Sequence, residues 1–160
     1  MIKKSSLSIK DNRNKLNQFL RDIDSKYEKV TVGIHSKEGM IKTEDGESTV
    51  LGYAIINEFG LHGIPSRPFI RQSFNKNLAE LEKKGTELFQ LVIKRALTMK
   101  QALGNWGSIL QGMIIREINE GNNFTPNTEF TKARKPKGLH PLQGETGALV
   151  RSIKTQIKKE

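Results

Sequence analysis

The stretch from Ser48 to Ser73 constrains this chain most, because a helix with two legible ends and a stiff bend abut within it. Ser48 or Thr49 can cap a helix, since a hydroxyl there accepts from an otherwise unpaired amide of the first turn. Val50, Leu51, Ala54, Ile55 and Phe59 follow as one apolar stripe at helical spacing, expected to face inward. Gly60 stands just past the stripe, where a left-handed cap costs glycine least. The spacing therefore predicts a short helix over 49–59. Pro65 and Pro68 push Ile64 and Arg67 into extended backbone. Pro68 also suits the start of a second helix carrying Phe69, Ile70 and Phe74 inward. Glu58 lies at the negative end of the first helix, where a carboxylate is disfavoured by about 0.3–1 kcal/mol. Arg67 or Arg71, just beyond the bend, is expected to pair with Glu58 and lock the turn. The alternative is three separately solvated charges, since exposed pairs contribute little.

The flanking sequence reads as helices and two strands. Residues 1–8 are expected to be a flexible tail. Leu16, Phe19, Leu20, Ile23 and Tyr27 then mark an amphipathic, core-packing helix over about 10–26. Val30, Val32 and Ile34 alternate with polar neighbours as a half-buried strand, and 37–48 reads as an extended loop or a flexible hairpin. Over 68–97, Phe74, Leu78, Leu81, Gly85, Leu88 and Val92 repeat at helical spacing, which predicts one long helix. Gly85 on that stripe leaves room for a close neighbour. A further helix over 99–120 carries Met99, Leu103, Trp106, Leu110 and Met113 on one seam, with Ile109, Ile114 and Ile118 beside it. Its Gly104, Gly107 and Gly112 are gaps that admit another backbone. Trp106 is either core or an interface anchor, and a tryptophan on such a seam is more often core. Residues 122–142 hold three prolines and no period, the mark of a functional or disordered extension. A turn, a Thr146 cap and one helical turn placing Leu149 inward come next, and then Ile153, Thr155 and Ile157 alternate as a second strand. Pairing this strand with Val30–Ile34 gives a single α+β domain over 1–160: a small, mostly antiparallel sheet packed against long helices, with extended loops.

The formal charge of +10 is unevenly placed. Residues 1–15 carry Lys3, Lys4, Lys10, Arg13 and Lys15 against Asp11. Residues 132–160 carry Lys132, Arg134, Lys135, Lys137, Arg151, Lys154, Lys158 and Lys159 against Glu145 and Glu160. These two ends account for the whole excess, so 16–131 balance. Basic ends seek acidic surfaces or phosphate, or serve as solubilising tails. The basic N-terminus lacks the apolar core of a secretory signal, and no apolar run approaches the roughly 20 residues of a membrane helix. With no cysteines, disulfides and thiolate chemistry are excluded. There is no Gly-rich phosphate loop. His35, His62 and His140 are far apart in sequence, with no carboxylate at ligand spacing. The Glu44-Asp45 pair sits in a loop, a poor place for acid–base work. No catalysis, metal or cofactor is expected.

Two motifs carry a resemblance. Asn57-Glu58-Phe59-Gly60 followed by Ile64-Pro65-Ser66-Arg67-Pro68-Phe69-Ile70-Arg71 resembles a signature of the tail-completion, or neck, proteins of tailed bacteriophages. A second signature of that family, Pro-Leu, an acidic residue, Thr-Gly, then Leu and Ser-Ile, stands here from Pro141 to Ile153 through Glu145, Thr146, Gly147 and Leu149. This chain has one extra residue between Pro-Leu and the acidic step. A Pro-x-Thr-x-Lys-like loop between the two is matched loosely by Pro126, Thr131, Arg134 and Lys135. The similarity covers about 28–158. It implies a virion protein of the head–tail junction, assembled in the host cytoplasm as a sixfold ring. Its partners would be itself, the tail terminator or tail tube, and the head connector, with DNA passing through the lumen. In that setting Lys132, Arg134, Lys135, Lys137 and Arg151 are the expected contacts to an acidic protein face. The competing readings are a tail terminator at the same junction and a basic nucleic-acid-binding protein.

Overall fold

A computed structural model describes residues 13–21, 28–42, 49–61, 63–121, 123–134, 141–144 and 146–159. After a helical stretch at 13–21, α1, the elements are β1 (Glu28–Ile34), α2 (Ser36–Gly39), α3 (Val50–Phe59), α4 (Phe69–Lys76), α5 (Leu78–Ile93), α6 (Met99–Glu120), α7 (Glu129–Arg134), α8 (Ala148–Ser152) and β2 (Ile153–Lys159). The architecture is α+β.

The longest helix, α6, is the plank on which the rest is laid. Its start is fixed by a capping box: the Gln101 amide donates to Thr98 Oγ1 at 3.2 Å, and the Thr98 amide donates to Gln101 Oε1 at 2.9 Å. This satisfies two amides that the first turn would leave unpaired. At 22 residues α6 is about 33 Å long, enough to carry α4, α5 and both strands.

The strands pair antiparallel, with Val30 opposite Ile157, Val32 opposite Thr155 and Ile34 opposite Ile153. Alternation along each strand puts these six on one face, and that face meets α6 at its glycines. A Cβ at Gly107 would lie 2.5 Å from Thr155 Cγ2 and 2.6 Å from Val30 Cγ2. A Cβ at Gly104 would touch Ile157, while Gly112 faces open space. The gaps at Gly104 and Gly107 thus admit strand side chains rather than a second backbone. Gln111 ties the layers together, donating to the Ile153 carbonyl at 2.8 Å and accepting from Thr155 Oγ1 at 2.9 Å.

The main core lies under the C-terminal half of α6. Ile114 and Ile118 pack there with Val50 and Ala54 of α3, Phe69, Phe124, Leu142, Leu149 and Ile153. Trp106 is half-buried between α5 and α6, and its indole donates to the Leu81 carbonyl at 2.9 Å. It lies against Gly85, whose missing side chain makes the space.

Several expectations need correcting. The long helix of 68–97 is two helices, because Asn77 leaves helical geometry and its side chain caps the Ser73 carbonyl at 2.7 Å. Phe74 and Leu78 flank that break and are exposed instead of inward. All described residues of the expected 10–26 helix, 13–21, are helical, but Leu16 and Leu20 are exposed rather than packed in a core. This helix is held at its side by Arg95, which donates to the Lys15 carbonyl at 2.7 Å and lies over Phe19. Ile23, Tyr27 and the 1–8 tail lie outside the described residues. The 37–48 loop begins as the short helix α2 and closes with a bridge from Lys42 to Thr49. The 122–142 segment contains α7, whose Thr131 amide donates to Thr128 Oγ1. The cap of α8 is Gly147, at a φ of 62°, and not Thr146. Leu149 is buried as expected.

The two glycine environments on α6 give opposite expectations. Gly107→Ala drives a methyl into two stiff β-branched side chains and should cost about 1–3 kcal/mol in urea denaturation. Gly112→Ala should stabilise by up to about 1 kcal/mol through helix propensity alone.

Candidate functional site

The bend between α3 and α4 is built around three buried polar and charged side chains, Asn57, Glu58 and Arg67. α3 starts at Thr49, whose hydroxyl accepts from the Gly52 amide at 3.1 Å, and ends at Gly60 in the left-handed region at a φ of 74°. Glycine is required there twice over, because a Cβ would also lie 2.7 Å from the Ser66 amide nitrogen. Ser66 Oγ donates back to the Glu58 carbonyl at 3.0 Å, closing the turn on itself. Pro65 is half-buried inside it.

Glu58 is 5% exposed. Its Oε2 accepts from the Ile70 amide at 3.0 Å, and its Oε1 accepts from the Arg71 amide at 3.1 Å and from Arg71 Nε at 3.0 Å. Arg71 completes the fork by donating from Nη2 to the Glu58 carbonyl at 2.7 Å. The carboxylate that is misplaced at the C-terminus of α3 is therefore well placed at the N-terminus of α4, where free amides and the helix dipole favour a negative charge. Pro68 precedes α4 and brings no amide of its own to be satisfied.

Of the two candidate arginines, Arg71 takes Glu58, while Arg67 is turned the other way and is 4% exposed. The Arg67 side chain donates four hydrogen bonds: Nη1 to Asn57 Oδ1 at 2.7 Å, Nε to the Thr125 carbonyl at 2.9 Å, and Nη2 to the Pro126 carbonyl at 3.3 Å and Asn127 Oδ1 at 3.1 Å. Its amide donates to the Asn57 carbonyl at 2.6 Å. Among the described residues no carboxylate reaches it. Burial pushes its pKa below the ordinary value, with Tyr53 acting in the opposite sense. A fork of fixed donors fits this ring of neutral acceptors in a way a lysine ammonium cannot.

The second motif reaches the same helix from the other end of the chain. Tyr53 Oη donates to the Pro141 carbonyl at 3.1 Å, while Leu142 and Leu149 pack against Val50 and Ala54. Asn57 Nδ2 donates to the Tyr53 carbonyl at 2.9 Å, linking that contact to Arg67. Glu58, Gly60, Pro65, Arg67, Pro68 and Arg71 thus form one joint, and Gly147 and Leu149 bring α8 onto its supporting helix; Thr146 is exposed. Arg151 is exposed on α8, and Lys132 pairs with Glu129 on α7 at 2.7 Å. The Arg134 side chain, Lys135 and Lys137 lie outside the described residues.

The inward face of α3 differs from the expected stripe. Val50, Ala54, Asn57 and Glu58 are buried, whereas Ile55 is 41% and Phe59 58% exposed. A helix offers its core one stripe little more than about 100° wide, and Asn57 and Glu58 claim it because Arg67 and the start of α4 need their side chains. The displaced apolar row faces outward beside Leu61 and Ile64, and the Arg71 guanidinium lies 5.0 Å from the Phe59 ring centre. Behind Arg71 runs a groove of about 320 Å3 lined by Val32, Ile70, Phe74, Asn75, Leu110 and Ile114.

Comparison with protein-family models, with curated proteins and with solved structures finds no match to this chain. Among the described residues, no three His, Asp or Glu side chains are grouped to hold a metal ion, and no helix is long and apolar enough to cross a membrane. What the site offers is a rigid corner with an apolar outer face.

Three substitutions separate the parts of the joint in urea denaturation. Arg71→Ala removes a half-exposed partner and should cost about 1 kcal/mol. Glu58→Ala also strips two amides of their acceptor and should cost about 2–4 kcal/mol. Arg67→Lys leaves several buried acceptors unpaired and should cost about 2 kcal/mol or more. A loss below about 0.5 kcal/mol for Arg67→Lys would contradict the role given to its fork.

Proposed function

We propose that this chain is a structural subunit of the neck of a tailed bacteriophage, closing with copies of itself into a ring that completes the tail and joins it to the head connector. The observation that carries the reading is the meeting of the two motifs. Residues 57–71 and 141–153 are separate in sequence but share α3 as their support. Such shared packing is expected if both motifs are signatures of one body rather than chance matches.

Two further features support it. Much of the apolar surface outside the core faces outward on helices, including Ile55, Phe59, Phe89 and Ile93, and large exposed apolar area marks sites of protein contact. The charge excess sits at the two ends of the sequence, outside 57–71. In this reading the basic segments, with Lys132 and Arg151 among them, meet acidic faces of neighbouring subunits, the tail terminator or the connector. DNA passes the lumen without being held, and the assembled particle is the site of action. The protein acts by shape and contact, so the reading calls for no cofactor or catalytic group. The charge of +10 also motivates a nucleic-acid-binding reading.

Light scattering across a concentration and salt series, followed by negative-stain imaging, tests the proposal. The expected result is a closed ring, six subunits by the resemblance, with duplex DNA binding that is weak at physiological salt. A monomer at every concentration would contradict it. So would tight duplex binding whose log K falls about 0.9 per phosphate contact against log salt.

A further inference from the structure

Among the described residues, two apolar rows on the outer surface are left uncovered. The first is on α3. Its one charged residue, Glu58, is buried, so the helix has no exposed charge at all. Ile55 and Phe59 are exposed one turn apart, continuing from the half-buried Leu51 that packs against Gly39, and the row ends on the Arg71 guanidinium stacked on Phe59. A helix whose outer side carries exposed Ile55 and Phe59 and no charge is one that expects to be covered. The second row is on α5. Leu78, Phe89 and Ile93 are exposed on the side next to Gly85, and Glu82 stands among them. The row borders an apolar groove of about 170 Å3 between α5 and α6, lined by Leu88, Phe89, Met99, Leu103 and Trp106.

The rows belong to different packing units. α3 packs chiefly on α2 and α8, and α5 chiefly on α6. Each row carries one charge with unused capacity. Arg71 spends Nε and Nη2 on Glu58 and leaves Nη1 free, with its side chain 56% exposed. The Glu82 carboxylate has no partner among the described residues, and only its main-chain carbonyl is engaged, by Thr86. An apolar row ending in a cation and an apolar row containing an anion are complementary in shape class and in sign.

We propose that the occupant of the α3 row is the α5 row of a second copy of this chain, with Arg71 of one copy facing Glu82 of the next. The contact is head to tail: each copy uses its α3 row on one side and its α5 row on the other. Contacts of this kind repeat around an axis and close into rings, whereas a two-fold contact through α3 alone would leave the α5 row uncovered. The inference deepens the ring reading and rests on it.

The test uses the full chain with two single variants, Ile55→Asp in the α3 row and Phe89→Asp in the α5 row, each checked for folding by circular dichroism. Each alone should lose assembly, with the dissociation constant raised at least about thirtyfold. Mixed together they should form a one-to-one dimer and stop there, because the pair has one intact junction and one junction with an aspartate on both sides. Glu82→Arg, a change at an exposed and unpaired carboxylate, guards against misfolding and should also weaken assembly by bringing two cations together. A wild-type chain that stays monomeric overturns this inference and the ring reading alike. An assembly unaffected by all three variants overturns the inference and leaves the ring standing. Loss of assembly in Ile55→Asp alone, with Phe89→Asp still pairing with itself and no mixed dimer on combining the two, would mean a two-fold contact through α3. Loss on deleting residues 1–21, with the row variants unaffected, would mean that α1 is the occupant. Either result overturns the head-to-tail assignment.

Discussion

Glu58 belongs to two helices at once. It closes α3 in sequence, yet its carboxylate caps α4, accepting both the Ile70 and Arg71 amides. A charge that α3 alone would disfavour becomes the bolt between the two helices. Arg67 works on the other side of the bend, where four neutral acceptors from α3 and the 125–127 segment surround its guanidinium. A buried charge without a counter-ion persists only if its hydrogen bonds are all made. The two segments that supply those acceptors must therefore meet the one that carries Arg67, and the joint orders parts of the chain that are some sixty residues apart.

Everything else is arranged on α6 relative to that joint. The sheet lies flat on the helix because Gly107 lets Thr155 and Val30 come close. α5 folds back along it because Gly85 gives way to Trp106. Glycine inside a helix is unfavourable by roughly 1 kcal/mol. At both places its absent side chain becomes the seat of a larger one. Burying polar residues on α3 and shortening side chains on α6 has a shared consequence: apolar residues that would ordinarily fill the inside are left outside, on α3 and α5.

Much of this was legible from residue order. The caps of α3, the pairing of the two strands and the inward Leu149 follow from local chemistry, because Thr49, Gly60 and strict alternation each have one cheap conformation. The pairing of Glu58 followed from electrostatics. Its second role as a cap on α4 did not, since that depends on where the bend returns the chain. The inward side of α3 departs from the apolar stripe for a related reason. Apolar periodicity ranks residues by transfer from water, and it places Ile55 and Phe59 inside ahead of Asn57 and Glu58. Tertiary hydrogen bonding reversed that order. The clue available in the sequence was a polar pair at the spacing that continues Val50 and Ala54. The break at Asn77 was hidden because the apolar repeat runs straight through it, and the short helix α7 was hidden because six residues are too few to show a period.

These features describe a body suited to assembly: a stiff corner, a long supporting helix and apolar rows turned outward, with charge collected at the ends of the chain. The central claim is that the joint at 57–71 holds this body together, and native-state hydrogen exchange in rising denaturant tests it most directly. If the joint orders the fold, the Arg67, Ile70 and Arg71 amides exchange only through global unfolding, with an opening free energy equal to that of the whole domain. If these amides open at lower free energy while those of α6 stay protected, the joint is an accessory to a core that stands without it, and the account is wrong.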